Sequence, residues 1–378
     1  MLKLKLIATS TFGLEAVVKR EIQDLGYEDI EVENGKITYT GDERAIAKSN
    51  LWLRSADRVL LKMGEFKARS FEELFEKTKS LPWDEFIPED GEFTVTGKSV
   101  KSQLHSVPDC QAIVKKAVVE KMKSRYNRDW FEETGPKFTI QVALLKDTAT
   151  LTIDTSGVGL HKRGYREEAV EAPLKETLAA AMVNLSFWDK NRIFLDPFCG
   201  SGTIPIEAAM IGRNIAPGLN RSFASEQWSI IGKDIWKEER VNALKAIDQD
   251  VELKIYAQDM DPDAIEIAKE NAYKAGVDDC IRFQLKRMEN INTKDEYGVI
   301  ICNPPYGERL GRKKQVEKLY KTMGKKFEKL STWSKYIITS NENFEKLYGK
   351  KASKKRKLYN GRIKVDYYQY YGPKPPKK

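Results

Sequence analysis

Residues 303–306 read Asn303, Pro304, Pro305 and Tyr306, directly after the apolar run 297–302. A strand that empties into a rigid polar and aromatic corner suits one task, holding the exocyclic amine of a nucleobase. The Asn303 side-chain carbonyl and the Pro304 main-chain carbonyl supply acceptors for the two amine hydrogens. The prolines fix the backbone so that those acceptors converge. Tyr306 offers a ring on which the flat base can stack. A base amine is a poor nucleophile because its lone pair is delocalised into the ring. Acceptors on both hydrogens favour a pyramidal nitrogen, so alignment supplies most of the rate and no strong base is needed.

A second corner lies upstream. Residues 193–195 read as a buried strand, and Asp196, Pro197, Phe198, Cys199, Gly200, Ser201 and Gly202 follow it. Residues 203–211 then read as a helix carrying Ile204, Ile206, Ala208, Ala209 and Ile211. Strand, glycine turn and helix form the opening unit of a doubly wound sheet, where cofactors sit at the strand C-termini. Gly200 and Gly202 are expected to let a ligand approach the backbone. Pro205 stands where a dinucleotide fingerprint has its third glycine, and no phosphate-loop lysine follows. An acid at the head of such a loop suits a cofactor with an amino-acid ammonium, which S-adenosylmethionine has and NAD lacks. The next strand, 254–257, leads to Asp259 at its tip, the place of a ribose-binding acid. Asp261 caps the helix that starts at Pro262 and ends at Gly276. Asp261 thus has a structural task, whereas the sequence suggests none for Asp259.

These motifs and their order resemble the THUMP-domain RNA methyltransferases, and within them the bacterial 23S rRNA guanine-N2 methyltransferases. The resemblance rests on residues 196–202, 259–262 and 303–311. It extends to the opening Thr11, Phe12, Gly13, Leu14 and Glu15, and to the stretch 161–166 leading into 172–176. It implies that 161–166 ends a THUMP module, that a methyltransferase domain follows, and that Ala172, Pro173 and Leu174 help line the cofactor site. With Pro173, the expected cofactor residues are Asp196, Phe198, Gly200, Gly202 and Asp259. The expected catalytic residues are Asn303, Pro304 and Tyr306. One position departs from related methyltransferases, many of which carry an acid near residue 287 to hold the adenine amine. Here it is Arg287. Either Glu289 or a backbone carbonyl takes that task, or packing holds the ring.

The elements that must position these corners divide the 378 residues in three. Residues 1–55 read as a ferredoxin-like α+β unit: a strand at 3–8, a helix near 13–25, short strands at 30–33 and 36–40, and a helix from Asp42. Residues 56–160 read as helix 71–79, strand 92–97, helix 109–126 and strands 137–145 and 148–154, which the resemblance makes the THUMP module. Residues 165–378 alternate strand and helix in the α/β manner of a Rossmann-like class I methyltransferase. They close on a strand pair at 357–359 and 363–371. The insertion 216–228 is either a loop on the sheet edge or a wall of the base pocket.

Net charge is +9, unevenly spread. Residues 346–378 carry twelve Lys or Arg and one acid, so the rest of the chain sums to −2. Residues 98–128 hold eight bases against Asp109 and Glu120. The run 350–357, with Lys354, Lys355 and Arg356, is expected to meet RNA phosphates. Lys115, Lys116 and Lys123 on the 109–126 helix read either as an ordinary solvated face or as phosphate contacts. Four cysteines without C-x-x-C spacing and two histidines argue against zinc or a disulfide framework, and a reducing cytoplasm fits them. Neither an eighteen-residue apolar run nor a secretion signal is present in the sequence.

The reading is methyl transfer to a guanine N2 amine in RNA. The RNA is 23S rRNA in the first instance, with transfer RNA as the alternative, and no metal is implied. A DNA adenine-N6 methyltransferase would use a similar Asn303 corner, but residues 1–160 resemble an RNA-binding module. A non-catalytic RNA-binding assembly factor would have no need of both corners intact. An NAD-dependent oxidoreductase is disfavoured by the missing fingerprint.

Overall fold

The computed structural model describes residues 2–166, 174–306 and 313–376. They fall into two compact units, and each unit takes in a segment from the other's stretch of chain. The first holds Met1–Ser10, Lys19–Leu160 and Ser222–Asn242; the second holds Thr11–Val18, His161–Arg221 and Ala243–Lys378.

Up to Asp154 the chain forms β1 (Leu4–Ser10), α1 (Glu15–Asp24), β2 (Ile30–Glu33), β3 (Lys36–Gly41), α2 (Glu43–Trp52) and β4 (Ala56–Lys67). It continues with α3 (Phe71–Lys79), α4 (Trp83–Phe86), β5 (Glu92–Val100), α5 (Val107–Tyr126), β6 (Lys137–Leu145) and β7 (Thr148–Asp154). Asp42 begins α2 by accepting the Ala45 N–H at 2.9 Å, and Ser70 caps α3 in the same way. The seven strands make one sheet in the order β2-β3-β1-β4-β7-β6-β5. β4 is absent from the sequence reading, yet it joins β1 to β7 and so carries the sheet from the early strands to the later ones. Its alternation is broken by a register shift between Lys62 and Gly64. A Cβ on Gly64 would lie 2.6 Å from the end of the Leu81 side chain, which would have to shift.

Of the insertion 216–228, residues from Ser222 onward belong to the first unit, as part of Ser222–Asn242, while 216–221 stay with the second. Trp228 stacks on Phe138 of β6 with ring centroids 4.7 Å apart. Ser225 donates its N–H and its hydroxyl to the Thr155 carbonyl. Arg44 donates to Glu238 and Glu239 at 2.6 Å each.

From residue 174 the chain forms α6 (Glu176–Asn184), β8 (Phe194–Asp196), α7 (Thr203–Gly212), α8 (Lys233–Lys245), β9 (Ile255–Asp259), α9 (Pro262–Ala275) and β10 (Ile281–Leu285). Then come β11 (Val299–Cys302), α10 (Lys313–Glu328), β12 (Ser334–Thr339), α11 (Phe344–Tyr348), β13 (Lys354–Asn360) and β14 (Ile363–Tyr370). The sheet order is β10-β9-β8-β11-β12-β14-β13. The first five of these strands are parallel, and β14 runs antiparallel between β12 and β13. This is the Rossmann-like α/β arrangement, preceded along the chain by an α+β unit, as the sequence suggests. Helices cover both faces, so β8 and β11 are buried throughout and read as apolar runs without alternation. The chain leaves β8 for β9 and β10 on one side and returns to β11 on the other. That reversal opens a crevice at the strand C-termini, where Asp196 and Asn303 sit.

Candidate active site

Asp196 ends β8 fully buried. Its Oδ1 accepts the Phe198 N–H at 3.0 Å, while Oδ2 is buried with no hydrogen-bond partner among the described residues. Burial pushes the carboxyl well above the usual carboxylate range, and Asp259 nearby raises it further. A buried acceptor without a donor is costly, about 1–3 kcal/mol. It is also the feature that a site for an ammonium would have before its ligand arrives. At Gly200, whose φ is +51°, an added Cβ would meet none of the described residues within 4 Å.

Gly202 does otherwise. A Cβ on it would lie 3.0 Å from the Ala268 Cβ of α9 and 3.2 Å from Ile206 Cδ1. Gly202 thus has a packing task as well, since it lets α7 and α9 lie close together. Phe198 is half-buried against the cluster around Tyr320 and Phe327.

Asp259 has the structural work that the sequence did not suggest. Its Oδ2 accepts the Gly200 N–H at 2.9 Å and its Oδ1 accepts the Asp261 N–H at 3.1 Å. The carboxylate thus fastens the glycine loop to the tip of β9. Asp261 caps α9 through the Asp263 N–H, as expected. Beside Asp259, Met260 is 59 % exposed, and Leu285 at the tip of the paired β10 is 62 % exposed. Arg287 is exposed and Glu289 half-buried.

Asn303 follows β11 directly. Its Oδ1 is buried and has no partner among the described residues. Pro304 is buried and Pro305 exposed. The Pro305 carbonyl accepts the Tyr320 hydroxyl at 2.7 Å, and that hydroxyl lies 2.9 Å from Thr339 Oγ1 at the end of β12. Tyr320 was missed in the sequence because Val316, Tyr320, Met323 and Phe327 form an ordinary buried helix stripe, and nothing in such a stripe announces the hydroxyl. Tyr306 is half-buried and packs on the main core of the second unit. Pro173 lies outside the described residues. Cys199 and Cys302 are free, buried thiols, with burial raising both.

The stretch 161–166 underpins the glycine loop. Arg163 pairs with Glu207 of α7 at 3.3 Å, both buried, and the Tyr165 hydroxyl donates to the same carboxylate at 3.1 Å. Arg166 reaches Glu176 at 2.8 Å and donates to Thr203 Oγ1, the first residue of α7, at 3.2 Å. Breaking a buried pair of this kind costs about 3–5 kcal/mol. His161 is pushed down to about 4 by burial and by the bases around it, so it is neutral at physiological pH.

The basic residues divide between the units. In the first, Lys115 lies 3.8 Å from Glu133, and Lys123 lies 3.6 Å from both Glu120 and Asp129. Lys116 sits over the Phe75 ring. Such exposed pairs are worth about 0–1 kcal/mol. In the second, Lys354 and Lys355 are exposed on the edge strand β13, with Lys355 3.6 Å from Asp366. Arg356 is half-buried.

Comparison with known proteins follows the same divisions. Residues 5–60 match the RlmL ferredoxin-like domain, 68–154 the THUMP domain, and 163–369 the RMKL-like methyltransferase domain. The chain is 57 % identical over 380 aligned residues to the "Putative RNA methyltransferase YpsC" of Bacillus subtilis, covering 100 % of this chain and 98 % of that protein. It is 33 % identical to the "Ribosomal RNA large subunit methyltransferase K/L" of Psychromonas ingrahamii, with 96 % of this chain aligned to 50 % of that protein. The chain therefore spans about half the length of that relative. A crystal structure of "a putative methyltransferase complexed with SAH" superposes with TM-score 0.94 at 47 % identity, covering 100 % of both chains.

Proposed function

The chain belongs to the THUMP-bearing RNA methyltransferases of the RMKL-like family, whose methyl donor is S-adenosylmethionine, and on that premise we propose that it methylates the exocyclic N2 amine of a guanine in structured RNA. 23S rRNA is the favoured substrate. The observation that carries the reading is the pair of acceptors at the end of β11. Asn303 Oδ1 is buried and, among the described residues, unpartnered beside a carbonyl run that Tyr320 anchors.

When bound, the cofactor supplies an electrophilic methyl on a sulfonium. Asp196 Oδ2 takes the ammonium of its amino-acid end, Gly200 leaves room for its body, and Asp259 accepts from a ribose hydroxyl with a remaining lone pair. Met260 and Leu285 fit the faces of the adenine, which makes packing the answer to the basic residue at 287. Asn303 Oδ1 and the Pro304 carbonyl accept the two amine hydrogens, and Tyr306 stacks on the base. The amine's excess proton needs no strong base, because it is acidic once the methyl bond has formed. Transfer RNA remains the second reading on the THUMP domain alone.

The test is single-turnover methylation of a guanine-containing RNA with saturating cofactor, followed by digestion to nucleosides. N2-methylguanosine is the expected product. Asn303→Ala should lower turnover far more than it lowers RNA or cofactor affinity. Methylation at the parental rate would make the corner only a structural turn.

A further inference from the structure

The strand register places the tip of the β13–β14 hairpin beside the catalytic edge of its sheet. Cys302 of β11 is level with Ile337 of β12, and Thr339, two residues further on, is level with Asp366 of β14 and through it with Lys357 of β13. Tyr320 holds Thr339 and the Pro305 carbonyl together, so that level is the level of the catalytic corner. Tyr359 and Asn360 lie two and three positions beyond Lys357. At about 3.3 Å per residue, the tip therefore stands roughly 10 Å past Thr339, on the side from which a base must enter.

The tip is built from aromatic and basic groups. Phe12 is 51 % exposed and meets the half-buried Tyr359 edge to face, with centroids 6.3 Å apart at 77°. Lys357 Nζ lies 5.7 Å from the Tyr359 ring centre. Arg362 and Lys364 are exposed on the returning strand. The backbone is shaped to hold Phe12 there. Gly13 has φ +91°, and a Cβ on it would lie 2.7 Å from the Lys357 carbonyl, so only glycine lets the segment lie against β13. The exposed phenylalanine is thus seated on the edge strand.

We propose that Phe12 and Tyr359 form a stacking platform for an unpaired base of the RNA flanking the target nucleotide, with Lys357 and Arg362 meeting the adjoining phosphates. The proposal rests on the reading of the chain as an RNA methyltransferase and adds the conformation of the substrate. The RNA must be single-stranded next to the methylated base, because a paired base cannot present its face. Aromatic faces beside cations suit this ligand, since every base has a π-face and every linkage a negative charge.

The probe is a fluorescein-labelled oligouridine of about twelve nucleotides, within the usual span of a single-strand site. Affinity is read by anisotropy against the full-length protein. Phe12→Ala and Tyr359→Ala should each weaken binding about 5- to 150-fold, the range for one lost stacking contact. Tyr359→Phe should bind as the parent does. Lys357→Ala should flatten the salt dependence, and the two ring removals should leave its slope unchanged. Cofactor affinity of each variant, measured by calorimetry, reports whether the second unit is folded. Parental affinity in both alanine variants, or equal loss in Tyr359→Phe, would overturn the platform. The two readings separate cleanly. If the platform fails, methylation of structured RNA by the parent is untouched; if the methylation reading fails, oligouridine binding still responds to Phe12 and Tyr359.

Discussion

Replacing Asp196 with Asn separates what this residue does for the cofactor from what it costs the fold. The amide keeps Oδ1, so the Phe198 N–H retains its acceptor. Oδ2 becomes an NH2, which cannot accept from an ammonium. The lost contact is a charge-assisted hydrogen bond worth about 1.5–3 kcal/mol, or a drop in cofactor affinity of roughly 13- to 160-fold. Stability without cofactor should move the other way. Burial raises the Asp196 carboxyl above its unfolded value of about 3.9. As pH rises from that value, the unfolded chain releases this proton while the folded chain retains it. The unliganded protein accordingly loses stability at up to ~1.36 kcal/mol per pH unit until the folded pKa is passed. Asp196→Asn removes that slope, so its advantage over the parent should grow with pH and vanish at or below about pH 4. Cofactor affinity of the parent should rise with pH, because the buried carboxyl must ionise to meet the ammonium, over the range below that in which an α-amino group itself titrates. Isothermal calorimetry and thermal unfolding over the same pH series test both halves. Unchanged affinity would remove Asp196 from the ammonium site, and a stability difference flat with pH would refute the buried neutral acid.

Three further outcomes follow from particular contacts. Asp259→Ala removes an acceptor from the Gly200 and Asp261 N–H groups; cofactor affinity should fall with a loss of about 1.5–3 kcal/mol, and the melting temperature should fall as well, which a purely ligand-facing acid would not cause. Tyr320→Phe leaves the Pro305 carbonyl without its donor; in steady-state kinetics kcat should drop while KM for RNA holds, and an unchanged kcat would mean the prolines alone set the corner. Neutralising Lys354, Lys355 and Arg356 together should reduce the magnitude of the slope of log affinity against log salt by up to about 2.7 for duplex-like or 2.1 for single-stranded contacts; a loss of affinity at constant slope would assign them to folding.

Much of the second unit was legible because parallel buried strands leave apolar runs ended by motif residues, as at Leu195 and Cys302. The cap at Asp261 and the α9 stop at Gly276 could be read from residue type alone. What escaped was set by partners distant in sequence. β4 hid behind a bulge at Gly64. The packing of Gly202 on Ala268 and the hold of Asp259 on the Gly200 N–H join residues distant in sequence, and neither contact has a local signature. Trp228 looked like a loop aromatic because nothing nearby in sequence points to Phe138. Tyr320 hid inside a stripe of core residues.

The exchange of segments between the two units bears on how the protein is made. The first unit lacks Ser222–Asn242 until the chain has grown 82 residues past Leu160. At translation rates of about 5–20 residues per second, that is roughly 4–16 s during which the first unit is incomplete, and for most of it Phe138 has no Trp228 to cover it. Throughout synthesis, Thr11–Val18 awaits a strand, β13, that emerges near the end. A fragment cut at residue 160 would therefore be born with an apolar face uncovered, and one begun at residue 165 would carry Trp228 and Trp236 with no sheet to receive them. Expressed apart, both halves should aggregate; expressed together from separate messages, they should rescue one another.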